Sequence, residues 1–376
     1  MIRILFIHHK LVCGGAEQAL FDLITLLDKN SFDVAVMPMI EGGEWEQKFI
    51  NAGINVVFDH SCQIKSRNPL IKIRNWYKRK QIQRAKRNNG KNLIDICFSE
   101  PFDIIVSYAV WQMRDICFSR NSKSILYVHG DCNTNPSVAY NMECFGDRLH
   151  KFDHIICVSE EVRKSFVAFT GISDSVSTVI NPLNSATVNT LSNINVSLPT
   201  LQAPIMCAVG RLAPEKGFDR LIFIHKHLLN KGLPHSLIIV GDGPEKEHLQ
   251  TIVWGCGTQN SVHFTGYTAN PYPYMKAADF LVCSSYTEGL PVVAAEALSL
   301  GIPVVSSIPS IGELFQDSQC GIITGSSNDA LSVGIEKVLS NRELLSHMKT
   351  AAIQHCPYFE GRSMVAKVEA IYRKIL

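Results

Sequence analysis

Residues 284–297 read SSYTEGLPVVAAEA, and this stretch decides the fold of the region around it. The apolar run DFLVCS at 279–284 predicts a buried strand, and VVAAEAL after Pro291 predicts a helix. Gly289 permits a sharp turn between the two, Pro291 suits the first helical position, and GIP at 301–303 ends the helix. The stretch is therefore predicted to be a strand, a tight loop and a helix, the repeating unit of an α/β fold.

Two carboxylates lie eight residues apart in this stretch, Glu288 on the predicted loop and Glu296 inside the predicted helix. The amides of Leu290, Val292 and Val293 have no acceptor within that helix, and together with the helix dipole they favour an anion between the two acids. A phosphate-bearing ligand with hydroxyl groups at both ends fits this layout. Either acid alone is typical of a helix surface. Glu296, however, interrupts an apolar run where no solvated face is expected, so we favour a binding function for both.

Four other motifs follow predicted strands. They are GGAE at 14–17, YVHG at 127–130, VGRLAPEKG at 209–217 and VGDGP at 240–244. Arg211 and Lys216 bracket the turn in the third motif, a placement that favours phosphate binding over an ordinary surface charge. Open α/β sheets bind ligands beyond the carboxyl ends of their strands, so all four motifs are expected at such edges.

Together, the Glu-(seven residues)-Glu pair and these motifs resemble the retaining glycosyltransferases of family 4. That family has the two-domain GT-B fold and includes many bacterial polysaccharide and lipopolysaccharide enzymes. The motifs occur in the family's order over residues 2–310. The resemblance implies a retaining hexosyltransferase that moves a sugar from a nucleotide diphosphate sugar onto a glycan or lipid-linked acceptor, with UDP favoured over GDP. It implies no metal ion and no other cofactor, because no Asp-x-Asp motif is present and Arg and Lys neutralise the donor diphosphate.

The resemblance also assigns functions to single residues. Glu288 is expected to orient the donor sugar and Glu296 to accept hydrogen bonds from the ribose hydroxyls. Arg211 and Lys216 are expected to stabilise the departing diphosphate, and His129 to lie beside the donor sugar. The implied catalytic residues are His129, Arg211, Lys216 and Glu288. The implied donor-binding residues are Gly15, Arg211, Lys216, Gly243, Tyr267, Gly289, Leu290, Pro291, Val292 and Glu296.

Some of these residues also allow a structural interpretation. His129 ends the apolar stretch SILYVH, as an ordinary buried histidine would, but the glycine after it favours a role at the donor. Tyr267 suits a base pocket and a plain surface position equally. His8 and His9 also end a predicted strand, and we interpret them as structural.

Short apolar strands alternate with amphipathic helices along the chain, which predicts two doubly wound, Rossmann-like α/β domains with parallel sheets. The 376 residues exceed what a single core usually holds. The predicted strands are 2–8, 33–39, 55–58, 104–107, 124–129, 154–159 and 177–180, followed by 205–210, 236–241, 261–265, 280–284, 303–306 and 321–324.

By resemblance to GT-B proteins, the two domains face each other across a cleft. The predicted acceptor-binding domain is 1–184, completed by a C-terminal helix within 358–376 that packs back on it, and the nucleotide-sugar-binding domain is 185–357. Residues 185–204 are rich in Ser, Asn and Thr without periodicity, which predicts a linker.

Composition narrows the class of protein. A net charge of +2 argues against nucleic-acid binding. Twelve cysteines, with no C-x-x-C pair, are interpreted as reduced core residues of a cytoplasmic protein. The N-terminal MIRILFIHHK predicts a strand rather than a signal peptide. The longest near-apolar run, 289–308, contains an acid and two prolines, so it predicts a buried helix and strand rather than a membrane span.

A basic stretch from Lys65 to Lys91 contains eleven Lys or Arg residues and no Asp or Glu. Apolar and aromatic side chains recur within it at helical spacing, at Leu70, Ile73 and the Trp76–Tyr77 pair. This pattern favours a helix that docks on an anionic membrane over a solvated basic helix. A peripheral position on the inner face of the cytoplasmic membrane would suit a lipid-linked acceptor.

The sequence also bears on three other functions. A dinucleotide-dependent oxidoreductase is disfavoured because Lys246 stands where the third glycine of G-x-G-x-x-G would be. A nucleotide-sugar 2-epimerase on the same architecture needs no acceptor and stays open. A catalytically idle glycan-binding subunit also stays open, although such a protein would have no reason to keep both acids and both cations.

Overall fold

The computed structural model describes residues 1–59 and 69–376. The described strands are β1 (Ile2–His8), β2 (Phe32–Pro38), β3 (Asn55–Val56), β4 (Ile104–Ala109), β5 (Lys123–Val128), β6 (His154–Cys157), β7 (Val176–Thr178), β8 (Ile205–Val209), β9 (Ser236–Val240), β10 (Val262–Gly266), β11 (Phe280–Cys283), β12 (Val304–Ser306) and β13 (Gly321–Ile323). Each predicted strand is confirmed, with ends that differ by at most two residues.

The described α-helices lie between these strands and after them. They are α1 (Gly15–Leu26), α2 (Glu46–Asn51), α3 (Pro69–Arg87), α4 (Leu93–Cys97), α5 (Pro136–Phe145), α6 (Glu160–Thr170), α7 (Ser185–Ser192), α8 (Phe218–Asn230), α9 (Lys246–Cys256), α10 (Tyr272–Lys276), α11 (Val292–Ser299), α12 (Gly312–Phe315), α13 (Asn328–Ser340), α14 (Arg342–His355) and α15 (Arg362–Ile375). None of these helices is both long and apolar enough to cross a membrane.

The strands form two parallel sheets, as expected from their continuous apolar runs. Within the described residues the first sheet has the order β3-β2-β1-β4-β5-β6-β7 and the second the order β10-β9-β8-β11-β12-β13. In each sheet the chain reverses its direction of travel once, between β1 and β4 and between β8 and β11. Ligands of doubly wound sheets bind at such switch points. The fold is therefore two doubly wound α/β units.

The chain divides into two compact units. The first consists of 1–181 together with 362–376, and the second of 182–361. The last helix, α15, belongs to the first unit, where Val365, Val368 and Tyr372 are buried in the same apolar core as β1, β2 and β4.

The prediction of a linker at 185–204 is wrong for its first part, because residues 185–192 form α7. The Asn184 side chain caps this helix by accepting a hydrogen bond from the Thr187 amide. Val188 and Ser192 are buried one turn apart on the same side. Tertiary packing and a good cap thus overcome a composition typical of loops.

One further prediction is wrong, and two others concern residues that lie partly outside the described range. Pro291 is the N-cap residue of α11 and not its first helical residue, since the helix begins at Val292. Of the basic stretch, Lys65 to Asn68 lie outside the described residues; the remainder forms α3 and the turn after it. Eleven cysteines of the described chain are free thiols, and Cys62 lies outside it.

Candidate functional site

The second unit brings Arg211, Lys216 and Glu288 to the switch point of its sheet, because the first two follow β8 and the third follows β11. The turn after β8 contains a short 3₁₀ segment, Pro214–Lys216, and ends at Gly217 in the left-handed conformation, with φ of 60°. A Cβ atom at Gly217 would collide with the Ser284 carbonyl oxygen. Only glycine therefore lets this turn pack directly on the loop after β11.

Lys216 and Glu288 form an ion pair in which the Lys216 Nζ contacts the Glu288 Oε1. The same carboxylate oxygen accepts a hydrogen bond from the Ser285 hydroxyl at 2.9 Å. The two loops are also joined through Ser284, whose hydroxyl donates to the Lys216 carbonyl at 3.0 Å. A second link runs from the Tyr286 amide to the carbonyl oxygen of the residue before Lys216, at 2.9 Å. The acid and the cation are thus held together before any ligand binds.

Arg211 is placed differently from Lys216. Its guanidinium pairs with Glu215 at 2.9 Å, and its side chain is 66% exposed. It therefore lies at the same edge of the sheet but keeps the freedom of a surface side chain.

Arg220, on α8, is a residue of this site that the sequence analysis missed. Its side chain is buried, and it donates to the carbonyl oxygens of Ser284 and Ser285 at 2.7 Å and 2.6 Å. Burial lowers the pKa of this guanidinium. Arginine is such a strong base that the group stays charged. The amphipathic pattern of GFDRLIF gave no signal for this position, because the covering loop comes from a distant part of the chain.

Glu296 lies in the middle of α11 and is buried, at 7% exposure. Its Oε1 accepts a hydrogen bond of 3.0 Å from the hydroxyl of Tyr272, on α10. This contact explains how a carboxylate is tolerated in an otherwise apolar run. Tyr272 is the second residue that sequence reasoning missed, since it lies in a short helix with no motif.

The other predicted donor-binding residues of the second unit lie in three places. Gly289, Leu290 and Pro291 are buried and Val292 is half-buried where α11 begins. Tyr267, directly after β10, is 57% exposed. At Gly243 a Cβ atom would collide with the Leu212 carbonyl oxygen, so the close approach of two backbone segments already requires glycine there.

The first unit collects aromatic and titratable side chains at its own switch point. His8 ends β1, Tyr108 lies on β4 and His129 directly follows β5. The rings of Tyr108 and His129 are 4.4 Å apart, and the His8 Nε2 lies 3.7 Å from the Glu17 Oε1, in the first turn of α1. Gly15, the residue expected to approach a ligand, is the exposed first residue of α1.

Burial dominates the electrostatics of this cluster. It lowers the pKa of His129 to about 4, against the opposing effect of a hydrogen bond with the Tyr108 backbone. Burial, with the nearby His129, lowers the pKa of His8 to about 3. The His129 Nε2, both ring nitrogens of His8 and the Tyr108 hydroxyl are buried without a hydrogen-bond partner among the described residues. Both histidines are therefore neutral at physiological pH.

Comparison with known proteins tests these expectations. The profile of the family described as "Glycosyl transferases group 1" matches residues 192–355. Residues 192–355 therefore resemble the group 1 glycosyl transferases. This group 1 region lies wholly within the second unit and contains Arg211, Lys216, Glu288 and Glu296. The narrower assignment to family 4 stays a prediction.

Two curated relatives and one solved structure illustrate the likeness. An uncharacterized glycosyltransferase of Haemophilus influenzae is 30% identical over 45% of this chain and 48% of its own. The Campylobacter jejuni N-acetylgalactosamine-N,N'-diacetylbacillosaminyl-diphospho-undecaprenol 4-alpha-N-acetylgalactosaminyltransferase is 23% identical over 94% of each chain. Anabaena Alr3699/HepE in complex with UDP has a TM-score of 0.74 at 17% identity and covers 99% of this chain and 100% of its own.

These matches differ in reach. In three of the sequence matches the aligned part is only 46% to 62% of the relative's own length, so the chain spans about half of those proteins. The structural likeness shows the fold, which is the GT-B fold of glycosyltransferases. The predicted fold class is thereby confirmed, together with the resemblance to glycosyltransferases.

Proposed function

We propose that this group 1 protein is a retaining hexosyltransferase of cell-surface polysaccharide or lipopolysaccharide biosynthesis. It would move a sugar from a nucleotide diphosphate sugar to a glycan or lipid-linked acceptor. The observation that carries the proposal is the pairing of Lys216 with Glu288 at the switch point, next to the start of a helix that buries Glu296. This arrangement offers a cation for a diphosphate and two separate carboxylates for the hydroxyl groups of a sugar and a ribose.

In this proposal the bond between the anomeric carbon and the diphosphate breaks, and the acceptor oxygen attacks on the same face. The acceptor proton passes to the departing phosphate, so we assign no protein nucleophile. Lys216, Arg211 and the amides around Leu290 stabilise the negative charge that develops on the leaving group. Glu288 orients the donor sugar. The placement of His129 beside the sugar stays a prediction of the resemblance, and burial keeps its ring neutral.

The donor is proposed to be a UDP-sugar used without a metal ion or other cofactor. Anabaena Alr3699/HepE has been solved in complex with UDP and with UDP-glucose, and an S. aureus TarM mutant has been solved in a complex that includes UDP. The Campylobacter relative acts, by its name, on a diphospho-undecaprenol-linked acceptor. These names support a UDP-sugar and a lipid-linked acceptor as the first substrates to test.

A thermal-shift panel of UDP- and GDP-sugars tests the donor, since a ligand at 100 times its dissociation constant stabilises by about 2.7 kcal/mol. Incubation of the selected donor with and without a lipid-linked acceptor then tests the reaction. We expect transfer that continues in EDTA. A C2 epimer formed from the donor alone would identify an epimerase instead, and the absence of any nucleotide binding would identify an idle glycan-binding subunit.

We further propose that α3 holds the protein on the anionic inner face of the cytoplasmic membrane. Leu70, Ile73, Trp76 and Tyr77 are each more than half exposed in the first half of α3. On the opposite side, Ile82 and Ala85 are buried against the unit. An exposed apolar and aromatic end followed by cations is typical of a helix that lies in a membrane interface.

The charges on α3 differ in their freedom. Lys78 donates to the Cys97 carbonyl at 3.3 Å and Lys86 pairs with Asp59, so both help to fix the helix on the unit. Lys80, Arg84 and Arg87 share the outward side with Ile73, at spacings of seven, four and three residues. These three are exposed and are the cations best placed to meet lipid headgroups.

Vesicle binding tests this proposal. Replacing Lys80, Arg84 and Arg87 with Gln should weaken binding to anionic vesicles by up to roughly 3 kcal/mol, since each cation near such a surface contributes about 1 kcal/mol. Trp76→Ser should weaken it independently of salt. As a control of equal charge, Lys337, Lys367 and Lys374, all exposed elsewhere, are replaced with Gln. Equal losses in both triple variants, or no binding by the parent at low salt, would refute the proposal.

A further inference from the structure

A single guanidinium, on the helix that follows β8, binds the loops that follow three other strands. Arg220 lies on the helix after β8, and its Nε and Nη2 donate to the carbonyls of Ser284 and Ser285, after β11. Its Nη2 also donates to the Ser307 hydroxyl at 2.8 Å, after β12, and its Nη1 to the Ser326 carbonyl at 2.8 Å, after β13. Because β8, β11, β12 and β13 are neighbours, these bonds connect elements that follow four of the six strands of the described sheet.

The chemistry of this contact is specific to arginine. The side chain is 2% exposed, and all four acceptors are neutral oxygens. A planar guanidinium has five donors in a fixed fork, whereas a lysine ammonium has three and cannot span the same oxygens. The ring of Tyr286 covers the guanidinium, with its centroid 4.1 Å from the Cζ. The buried charge is thus held by geometry rather than by a counter-ion.

Two of the four loop residues that Arg220 holds also contact the Lys216–Glu288 pair. Ser285, whose carbonyl accepts from Arg220, donates its hydroxyl to Glu288. Ser284, whose carbonyl accepts from the Nε, donates its hydroxyl to the Lys216 carbonyl. Arg220 therefore reaches both members of the pair through one intervening serine each, without touching either.

We infer that Arg220 is a positioning residue, which sets the placement of Glu288 against Lys216 and so controls the rate of sugar transfer rather than nucleotide affinity. This inference rests on the proposed glycosyl transfer. Nucleotide binding should depend instead on Glu296, which Arg220 does not contact through these bonds.

Turnover and nucleotide affinity of Arg220→Lys and Arg220→Met separate geometry from charge. Both variants should lose about 100-fold in kcat, the size of effect that a misplacement of about 1 Å produces, while the Kd for the nucleotide stays within about twofold. Lys231→Met, which removes a surface cation paired with Glu336 in the same unit, is the control. Parental kcat in Arg220→Lys would overturn the inference, as would a matching loss of nucleotide affinity in both variants.

A milder variant covers the case in which both Arg220 variants fail to fold. Ser307→Ala removes a single acceptor and leaves the guanidinium in place, and it should lower kcat by about fivefold with unchanged nucleotide Kd. Unchanged kcat in a folded Ser307→Ala would contradict the inference.

Hydrogen exchange gives a readout that needs no turnover. The Tyr286 amide, bonded to the turn that carries Lys216, should exchange at least about tenfold faster in Arg220→Lys. The Leu249 amide, bonded within α9, should not change. If the parent transfers no sugar but the loop loosens in this way, the proposed function fails while the structural effect of Arg220 stands. If the parent transfers sugar and the loop stays protected, the inference alone fails.

Discussion

The two sheet edges differ in how their polar groups are satisfied. In the second unit, Lys216, Glu288 and Arg220 are joined by ion pairs and hydrogen bonds across neighbouring loops. In the first unit, His8, Tyr108 and His129 present buried polar atoms without hydrogen-bond partners among the described residues. The second edge is thus organised in advance for an anion, whereas the first holds neutral rings. In the proposed function, this difference places charge stabilisation in the second unit and shape or hydrogen bonding in the first.

Removing the cations of the second edge should have the largest effect. Lys216→Ala or Arg211→Ala should lower turnover by roughly 100-fold or more, because one cation is lost where the leaving diphosphate becomes more negative. Steady-state kinetics with the selected donor checks this, with Lys231→Ala as the control. EDTA should change little. Activity that chelation abolishes and Mg²⁺ restores would show that a metal ion, and not these side chains, carries the charge.

Glu296 tests the binding half of the same edge. Charge-assisted hydrogen bonds to ribose hydroxyls each contribute roughly 1.5–3 kcal/mol, so Glu296→Ala should weaken nucleotide binding by that amount and affect kcat less. Calorimetric titration with the nucleotide measures the change. A folded variant with parental affinity would remove the ribose assignment.

The neutral histidines of the first edge predict a dependence of stability on pH. The pKa of His129 is about 4 in the folded protein and near 6.5 when unfolded, so the unfolded chain binds more protons below pH 6.5. Stability should therefore fall as the pH decreases from about 6.5 towards 4, by roughly 2 kcal/mol at pH 5 for this residue. Chemical denaturation at pH 7 and pH 5 should show a smaller pH effect in His129→Gln than in the parent. His248→Gln, at an exposed position on α9, is the control, and an equal change in both variants would contradict the assignment.

The smallest expected effect concerns the partner of Glu296. Tyr272→Phe removes only the hydroxyl that donates to the Glu296 carboxylate. It should weaken nucleotide binding by about 1 kcal/mol, less than loss of the carboxylate itself, because the hydroxyl acts only by orienting Glu296. Tyr274→Phe, on the same short helix, controls for loss of a hydroxyl nearby. If the two variants bind alike, Tyr272 does not orient Glu296 for the nucleotide.

The sequence predicted what depends on neighbouring residues along the chain. Continuous apolar runs located the strands. Gly289 located the turn, and Pro291 located the start of α11 to within one residue. The sequence did not predict features that depend on contacts between residues far apart along the chain. Arg220 is buried only because the loop after β11 folds over it, and Tyr272 matters only because α10 lies against α11. Residues 185–192 are helical although their composition is typical of loops, because packing at Val188 outweighs weak helix propensity.

The return of α15 to the first unit has a consequence for the order of folding. Tyr372, on α15, is fully buried in a core whose strands all lie before residue 181. All of the second unit is therefore synthesised before that core is complete. A nascent chain that has reached Gly361 contains every residue of the second unit but only part of the first. The second unit can therefore form early from contacts within one continuous segment. The first must leave an apolar groove open until α15 is made, and that groove is where a chaperone or an aggregation partner would find the growing chain.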